Sequence, residues 1–241
     1  MINEKQLVNN YSSFWKSILP LQNIFQRKVN LDNKNTNDGF LKSDIVGRRR
    51  SYISQVSFWT YIYAINNNLN ISNNKFDKDT ENQIEELCSK QFDFYNKTIK
   101  DINKQLTKSE WDEIYELSKR LYKFFNDKYI KSEDIIFNPK FKGCGFLDDC
   151  CGDILIDGCL YEIKMVNRNF RVIDFQQILT YCSLNNLSKE YKIDRICMFN
   201  PRAGKYFVCD LNSFCIMISG KDKSILLHEI IDFFTGGGIS K

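Results

Sequence analysis

The chain contains a single histidine, His228, among its 241 residues. That scarcity excludes HExxH zinc sites and multi-histidine phosphohydrolase centres, and leaves any catalysis to carboxylates, Lys or Cys. A long apolar run is also missing. The most apolar stretch, Val56 to Ile65, is about half the roughly 20 residues that a bilayer-crossing helix needs. The opening MINEKQLVNN has no cationic segment followed by an apolar one, so neither export nor membrane insertion is expected. An excess of one charge is absent as well: 34 Lys+Arg against 30 Asp+Glu leave +4, far from the surplus of a protein that coats polyanions. The first 87 residues hold no cysteine, and the nine that follow cannot form a fully paired disulfide framework because they are odd in number. Most sit in apolar runs such as RICMF and YFVCDL, where thiols behave as small hydrophobes, which points to a reducing cytoplasm. Without a zinc finger, RNP motif or Walker loop, base-specific readout and self-powered translocation have no visible basis.

What is there suffices for one large domain, or for a small catalytic domain with an attached region. Hydrophobic residues make up 43% and aromatic residues 14% of the chain, and a mean hydropathy of −0.40 fits a soluble globular protein. The last 101 residues balance their charges, so the whole surplus lies in the first 140. That first part reads as helical. Leu7, Tyr11, Phe14, Trp15 and Ile18 keep helical spacing over 4–19, and Ser51 to Ile65 is apolar nearly all round, as in a buried helix; a polar, Asn-rich connection joins them. TENQ from Thr80 offers a capping box for a long helix whose stripe runs from Ile84 through Gln91, Tyr95, Ile99 and Ile102 to Leu106. TKSE from Thr107 opens another, ending near Asp127. After about Ser132 the period changes to short apolar runs, IIF, GDILI, CLYEIKMV, RICMF and KYFVCDL, interrupted by helices over Val172 to Asn185 and Lys223 to Phe234. The expected division is a helical region over 1–131 and an α/β core over 132–241. Asn66 to Asn74 reads as a loop and GGGISK as a mobile end.

The informative segment runs from Gly152 to Lys164. Asp157-Gly158 between two apolar runs is a strong hairpin signal, because a two-residue type I′ loop needs positive φ at both positions. Cross-strand pairs then follow: Ile156 with Cys159, Leu155 with Leu160, Ile154 with Tyr161, and Asp153 with Glu162. Two opposed carboxylates repel unless a cation lies between them, and Lys164 falls on the same face as Glu162 by strand alternation. Oxygen ligands of this kind suit Mg²⁺ or Mn²⁺ rather than zinc, while the ammonium beside them can orient a water or neutralise a developing oxyanion. Asp157 is read as a turn residue, not a ligand.

Asp153-x8-Glu162-x-Lys164 on a hairpin resembles the active-site signature of the PD-(D/E)xK phosphodiesterase superfamily, with its restriction-endonuclease-like fold. Gln177-x-x-x-Tyr181, on the helix after the Lys strand, resembles the corresponding element of the RecB-like branch. The resemblance covers roughly residues 135–212. It implies an α/β core, a mixed sheet flanked by helices, preceded here by an α-helical region that resembles nothing nameable. It also implies a metal held by Asp153, Glu162 and the Ile163 carbonyl, a water assisted by Lys164, and roles for Gln177 and Tyr181. Members of the superfamily often add an acid from a helix before the hairpin, and Glu85, Glu86, Glu113 and Glu116 all remain open for it.

Arg168 and Arg171 follow the Lys strand closely enough to reach an adjacent phosphate. Arg48, Arg49, Arg50, Lys140, Lys142 and Arg202 are further basic candidates. Asp174 reads as a cap of its helix, His228 as a partly buried helix residue, and Cys144, Cys150, Cys151 and Cys159, which lack a CxxC spacing, as core thiols. The expectation is a Mg²⁺- or Mn²⁺-dependent nuclease with nucleic acid, DNA first, as its partner. A regulatory or motor protein partner fits so small a core, and by family analogy so does an anti-phage defence role. The alternative is an inactive module of the same fold that binds nucleic acid or a partner protein without cutting.

Overall fold

In a computed structural model, the structure describes residues 1–72, 75–95, 105–129 and 135–237. The helices α1 (Glu4–Asn10), α2 (Ser12–Ile18) and α3 (Gln22–Asp32) lead into a two-residue strand β1 (Lys34–Asn35). Three longer helices follow, α4 (Gly47–Asn66), α5 (Lys78–Tyr95) and α6 (Lys108–Tyr129). Strands β2 (Ile135–Phe137), β3 (Lys140–Phe141), β4 (Cys150–Cys151), β5 (Ile154–Ile156) and β6 (Cys159–Ile163) precede α7 (Val172–Ser188). Strands β7 (Arg195–Asn200) and β8 (Lys205–Asp210) and helices α8 (Leu211–Ser219) and α9 (Lys223–Asp232) complete the order, with a π turn over Phe233–Gly237.

The contacts divide the chain into two compact units. One comprises residues 1–35, 132–200 and 205–241, the other residues 36–131 and 201–204. The 131/132 boundary expected from the sequence falls outside the described residues, and the helical part is not one block: α1 to α3 group with the sheet. The physical reason is their apolar content. Leu7, Trp15, Phe25 and Val29 are buried in the same cluster as α7 and the sheet residues Leu155, Leu160, Ile196 and Met198. Phe25 packs edge-on to Phe175 and Phe207 and tilted against Phe214.

The sheet of the first unit has six strands in the order β1-β8-β7-β6-β5-β2. Only β6 and β7 run parallel; the other neighbours are antiparallel, so the sheet is mixed. A parallel pair needs a crossover, and α7 supplies it. Strands β3 and β4 form a separate two-stranded ladder. The coarse α/β class with a mixed sheet and helices is as expected from the sequence.

Several local readings change. The helix expected over 4–19 is broken at Tyr11, whose φ of −110° and ψ of 46° end α1 and open α2. Asp77, not Thr80, starts α5, accepting the Thr80 N–H at 2.8 Å. The box at Thr107 is present: Glu110 N–H donates to Thr107 Oγ1 at 3.3 Å and Thr107 N–H to Glu110 Oε2 at 2.8 Å. Helices α3 and α8 lie where the sequence reading placed none. The stripe positions Ile99 and Ile102, the side chains of Gln91 and Tyr95, loop residues 73–74 and tail residues 238–241 lie outside what is described.

In the second unit, α6 carries the polar contacts. Arg49 pairs with Glu110, Arg120 with Glu116, and Arg202 with Glu113. Arg120 also donates to the carbonyls of Gly39 and Pro201 at 2.7 and 3.0 Å. Among the described residues no helix is long and apolar enough to cross a membrane.

Candidate active site

The hairpin has the register read from its loop. Asp157 and Gly158 take φ of 47° and 71°, and Ile154, Leu155 and Ile156 pair with Tyr161, Leu160 and Cys159. The Gly158 carbonyl accepts from Asp194 and Arg195 at 2.8 and 3.1 Å, which ties the hairpin tip to the start of β7. A Cβ at Gly158 would meet Asp194 Oδ2 at 3.4 Å on a backbone with positive φ. Gly158→Ala is therefore expected to destabilise by more than about 1 kcal/mol, a fall of a few degrees in Tm by differential scanning calorimetry. An unchanged Tm would contradict the I′ loop.

The ladder stops one pair short of the acids. The Ile163 N–H donates to Asp153 Oδ2 at 2.6 Å, and the Asp153 carbonyl accepts from Asn138 at 2.9 Å, so strand β5 parts from β6 at Asp153. Glu162 is buried at 4% exposure, whereas Asp153 is half-buried. Glu162 and Lys164 share the β6 face that Leu160 turns into the core against α7. Lys164 Nζ donates to Glu162 Oε1 at 2.7 Å and to Gln177 Oε1 at 2.6 Å. Since an ammonium only donates, Gln177 must present its oxygen to Lys164, which leaves its Nε2 to donate to the Tyr181 hydroxyl at 2.6 Å. Tyr181 is fully buried and stacks on Phe141, with ring centroids 5.4 Å apart.

Electrostatics follow from this burial. Desolvation, then the charge of Asp153, pushes the Glu162 carboxyl up to about 8. Asp153 is raised too, by burial first, although the Ile163 N–H and Lys164 act against it. Burial pulls Lys164 down, but the carboxylates of Glu162, Asp174 and Asp153 outweigh that and hold the ammonium above its ordinary value. Burial, followed by Glu162, keeps the Tyr181 phenol neutral at any ordinary pH.

Asp153, Glu162, Lys164, Gln177 and Tyr181 are thus brought together. Arg168 stands at the first turn of α7, paired with Asp174 at 2.6 and 2.9 Å. Arg171 is exposed, and its main-chain N–H rather than its guanidinium joins the group, donating to Asp174 at 2.8 Å. Asp174 does cap α7, as expected, and holds Arg168 as well.

Other readings are corrected. Arg202 is fully buried against Glu113 and Arg49 is engaged by Glu110, so neither offers a free phosphate contact. His228 is exposed on α9 rather than partly buried. Glu85, Glu86, Glu113 and Glu116 all belong to the second unit, and Glu113 and Glu116 are held by Arg202 and Arg120. Besides Asp174, whose charge bears on Glu162 and Lys164, an acid that the sequence reading missed acts on the cluster: Glu4 on α1 bears on Asp153 and Tyr181, with Lys5 beside it bearing on Asp153. A sequence signal existed, since Asn3 and Gln6 form a capping box that fixes Glu4 in the first helical turn; its proximity to a hairpin some 150 residues away is purely tertiary. All nine cysteines are free thiols, and Cys150 and Cys159 are buried.

Among the described residues no group of three or more His, Cys, Asp or Glu side chains is arranged to hold a metal. The oxygen donors brought together at the cluster are the carboxylates of Asp153 and Glu162, with the Ile163 main chain beside them through its N–H. That set suits Mg²⁺, which commonly takes one or two carboxylates and keeps several waters. Comparison with protein-family models, curated proteins and solved structures returns no match, so the reading of the site rests on its own geometry.

Proposed function

We propose that the protein is a metal-dependent nuclease that hydrolyses phosphodiester bonds in nucleic acid at the Asp153–Glu162–Lys164 cluster. The observation that carries this reading is the buried polar group itself. Two acids with raised pKa values and an ammonium converge at the end of an otherwise apolar hairpin face, held by Gln177 and Tyr181 from the next helix. Such a group costs folding free energy and needs a compensating role.

Asp153, Glu162 and the Ile163 carbonyl would hold Mg²⁺ or Mn²⁺, whose chemistry when bound is to lower the pKa of water and to neutralise charge on a phosphoryl oxygen. Lys164 uses two of its three N–H donors on Glu162 and Gln177, which leaves the third for the attacking water or a non-bridging oxygen. Gln177, fixed by Tyr181, keeps the ammonium aimed. Because the Glu4 charge bears on Asp153, Glu4→Gln is expected to weaken Mn²⁺ affinity in calorimetric titration, and more so at low ionic strength. Unchanged affinity would remove Glu4 from the site.

One observation favours the second reading, a module that binds without cutting: Glu162 already has a cation in Lys164, and among the described residues no group of three or more His, Cys, Asp or Glu side chains is arranged to hold a metal. Incubation with plasmid, linear DNA and RNA in Mg²⁺, Mn²⁺ or EDTA separates the two. The nuclease reading expects metal-dependent cleavage of at least one substrate, abolished by EDTA; binding without cleavage in any metal supports the module.

A further inference from the structure

The loop from Lys164 to Arg171 is held by side chains that the cluster does not use. Asn200, 2% exposed, donates from Nδ2 to the carbonyls of Val166 and Arg168 at 2.8 and 3.3 Å. Asn30 on α3 grips Phe170 in both directions, donating to its carbonyl at 2.8 Å and accepting its N–H at 3.1 Å. Asp174, 3% exposed, takes Arg168 end-on through Nη1 and Nη2 and also accepts the Arg171 N–H. Backbone and guanidinium are therefore both preset.

What this clamp presents is half of Arg168. A guanidinium has five N–H donors. Asp174 takes one from each Nη and the Asn169 carbonyl takes the second from Nη1 at 2.9 Å. The Nε–H and the remaining Nη2–H lie along one edge of the plane, a two-pronged donor of the shape that fits a phosphate. The side chain is 24% exposed, so that edge is not sealed in the core. Asp174 and Gln177 are three residues apart on one face of α7, about 4.5 Å along its axis. Arg168 and Lys164 thus hang from successive turns of the same helix, and the Asp174 charge acts on Lys164 and Glu162.

We propose that Arg168 grips the phosphate next to the one being cleaved, with Asp174, Asn30 and Asn200 as positioning residues that preset its free edge. The substrate class is then a polynucleotide strand carrying phosphates on both sides of the scissile bond, not an isolated diester. This proposal rests on the phosphodiesterase reading of the site. Fixing the guanidinium before binding reduces the ordering cost of the contact.

The test is the affinity for a fluorescein-labelled single-stranded 12-mer, by anisotropy in EDTA at several salt concentrations, with cleavage of the same 12-mer in Mn²⁺ measured in parallel. Arg168→Ala and Asp174→Asn are each expected to weaken binding about tenfold, and the double variant no more than the worse single one, because Asp174 acts through Arg168. Arg168→Ala should lower the salt slope by about 0.7, the share of one phosphate contact on a single strand. Asp174→Glu should restore part of the affinity; if Asp174→Asn does not fold, Asp174→Glu and the Arg168 slope decide the matter. Multiplying effects in the double variant, or an unchanged slope, overturns the clamp. Cleavage by wild type with unaltered binding by the variants defeats the clamp alone, whereas an intact binding cycle without any cleavage defeats the nuclease reading and leaves the phosphate contact standing.

Discussion

Lys164→Ala is expected to keep its fold and to lose phosphodiester cleavage by at least about a thousandfold, the range typical of removing a positioned proton donor or charge stabiliser. The loss follows from position. Lys164 is the only cation bonded to Glu162 among the described residues, and Gln177 and Tyr181 are arranged behind it. Removing one partner of a buried ion pair ordinarily costs about 3–5 kcal/mol, because a charge is left behind. Here the cost is smaller: Glu162, raised to about 8, already carries its proton at neutral pH, so little buried charge is left behind when the ammonium goes. A Tm within a few degrees of wild type, Mn²⁺ binding largely retained, and no product in a gel assay is the expected outcome. Cleavage at the wild-type rate would make the resemblance of the hairpin to a nuclease site misleading.

The second large effect is on stability. Glu162 titrates near 4.3 when unfolded and near 8 when folded. The native state therefore holds a proton that the unfolded chain has released, and the metal-free protein loses stability as pH rises from about 4.5 to about 8 and changes little from this source above that. Its Tm should be higher at pH 5.5 than at pH 8.5. Asp153→Asn removes both its own half-buried charge and the second cause of the Glu162 shift. The variant should melt at or above wild type without metal, and its pH slope should be shallower. Metal acts in the opposite direction on the wild type, stabilising by RT ln(1 + [L]/Kd), about 2.7 kcal/mol at a hundred times Kd. For a chain of this size that is about 5–10 °C. The rise should be larger at pH 8.5 than at pH 6.5, since binding must displace the Glu162 proton, and Asp153→Asn should lose most of it. If millimolar Mn²⁺ leaves the wild-type Tm unmoved and Asp153→Asn lowers it, the acids are structural and the binding module replaces the nuclease.

The parts of the site that local chemistry determines could be read before any coordinates. A two-residue Asp-Gly loop admits one register, so the pairing from Ile156–Cys159 to Ile154–Tyr161 followed from two residues. Strand alternation put Glu162 and Lys164 on one face, and helical spacing put Gln177 and Tyr181 on another facing it. The departure of β5 at Asp153 was not legible, because it depends on a side-chain oxygen replacing a main-chain acceptor for the Ile163 N–H. Nor were α3, whose apolar Ile24 and Leu31 face outward while only Phe25 and Val29 are buried, and α8, which is apolar on nearly every side and reads equally well as a strand. Glu4, Asn30 and Asn200 were beyond reach for a different reason. Each acts on residues more than thirty positions away, and nothing in their neighbours marks that destination.

The most direct measurement of the central claim is anomalous diffraction from crystals grown with millimolar Mn²⁺, compared with crystals grown in EDTA. A site formed by Asp153, Glu162 and the Ile163 carbonyl predicts a strong anomalous peak bounded by those oxygens, with the Lys164 ammonium beside it and still bonded to Gln177. No peak there, with the Lys164–Glu162 pair unchanged at saturating Mn²⁺, would contradict it.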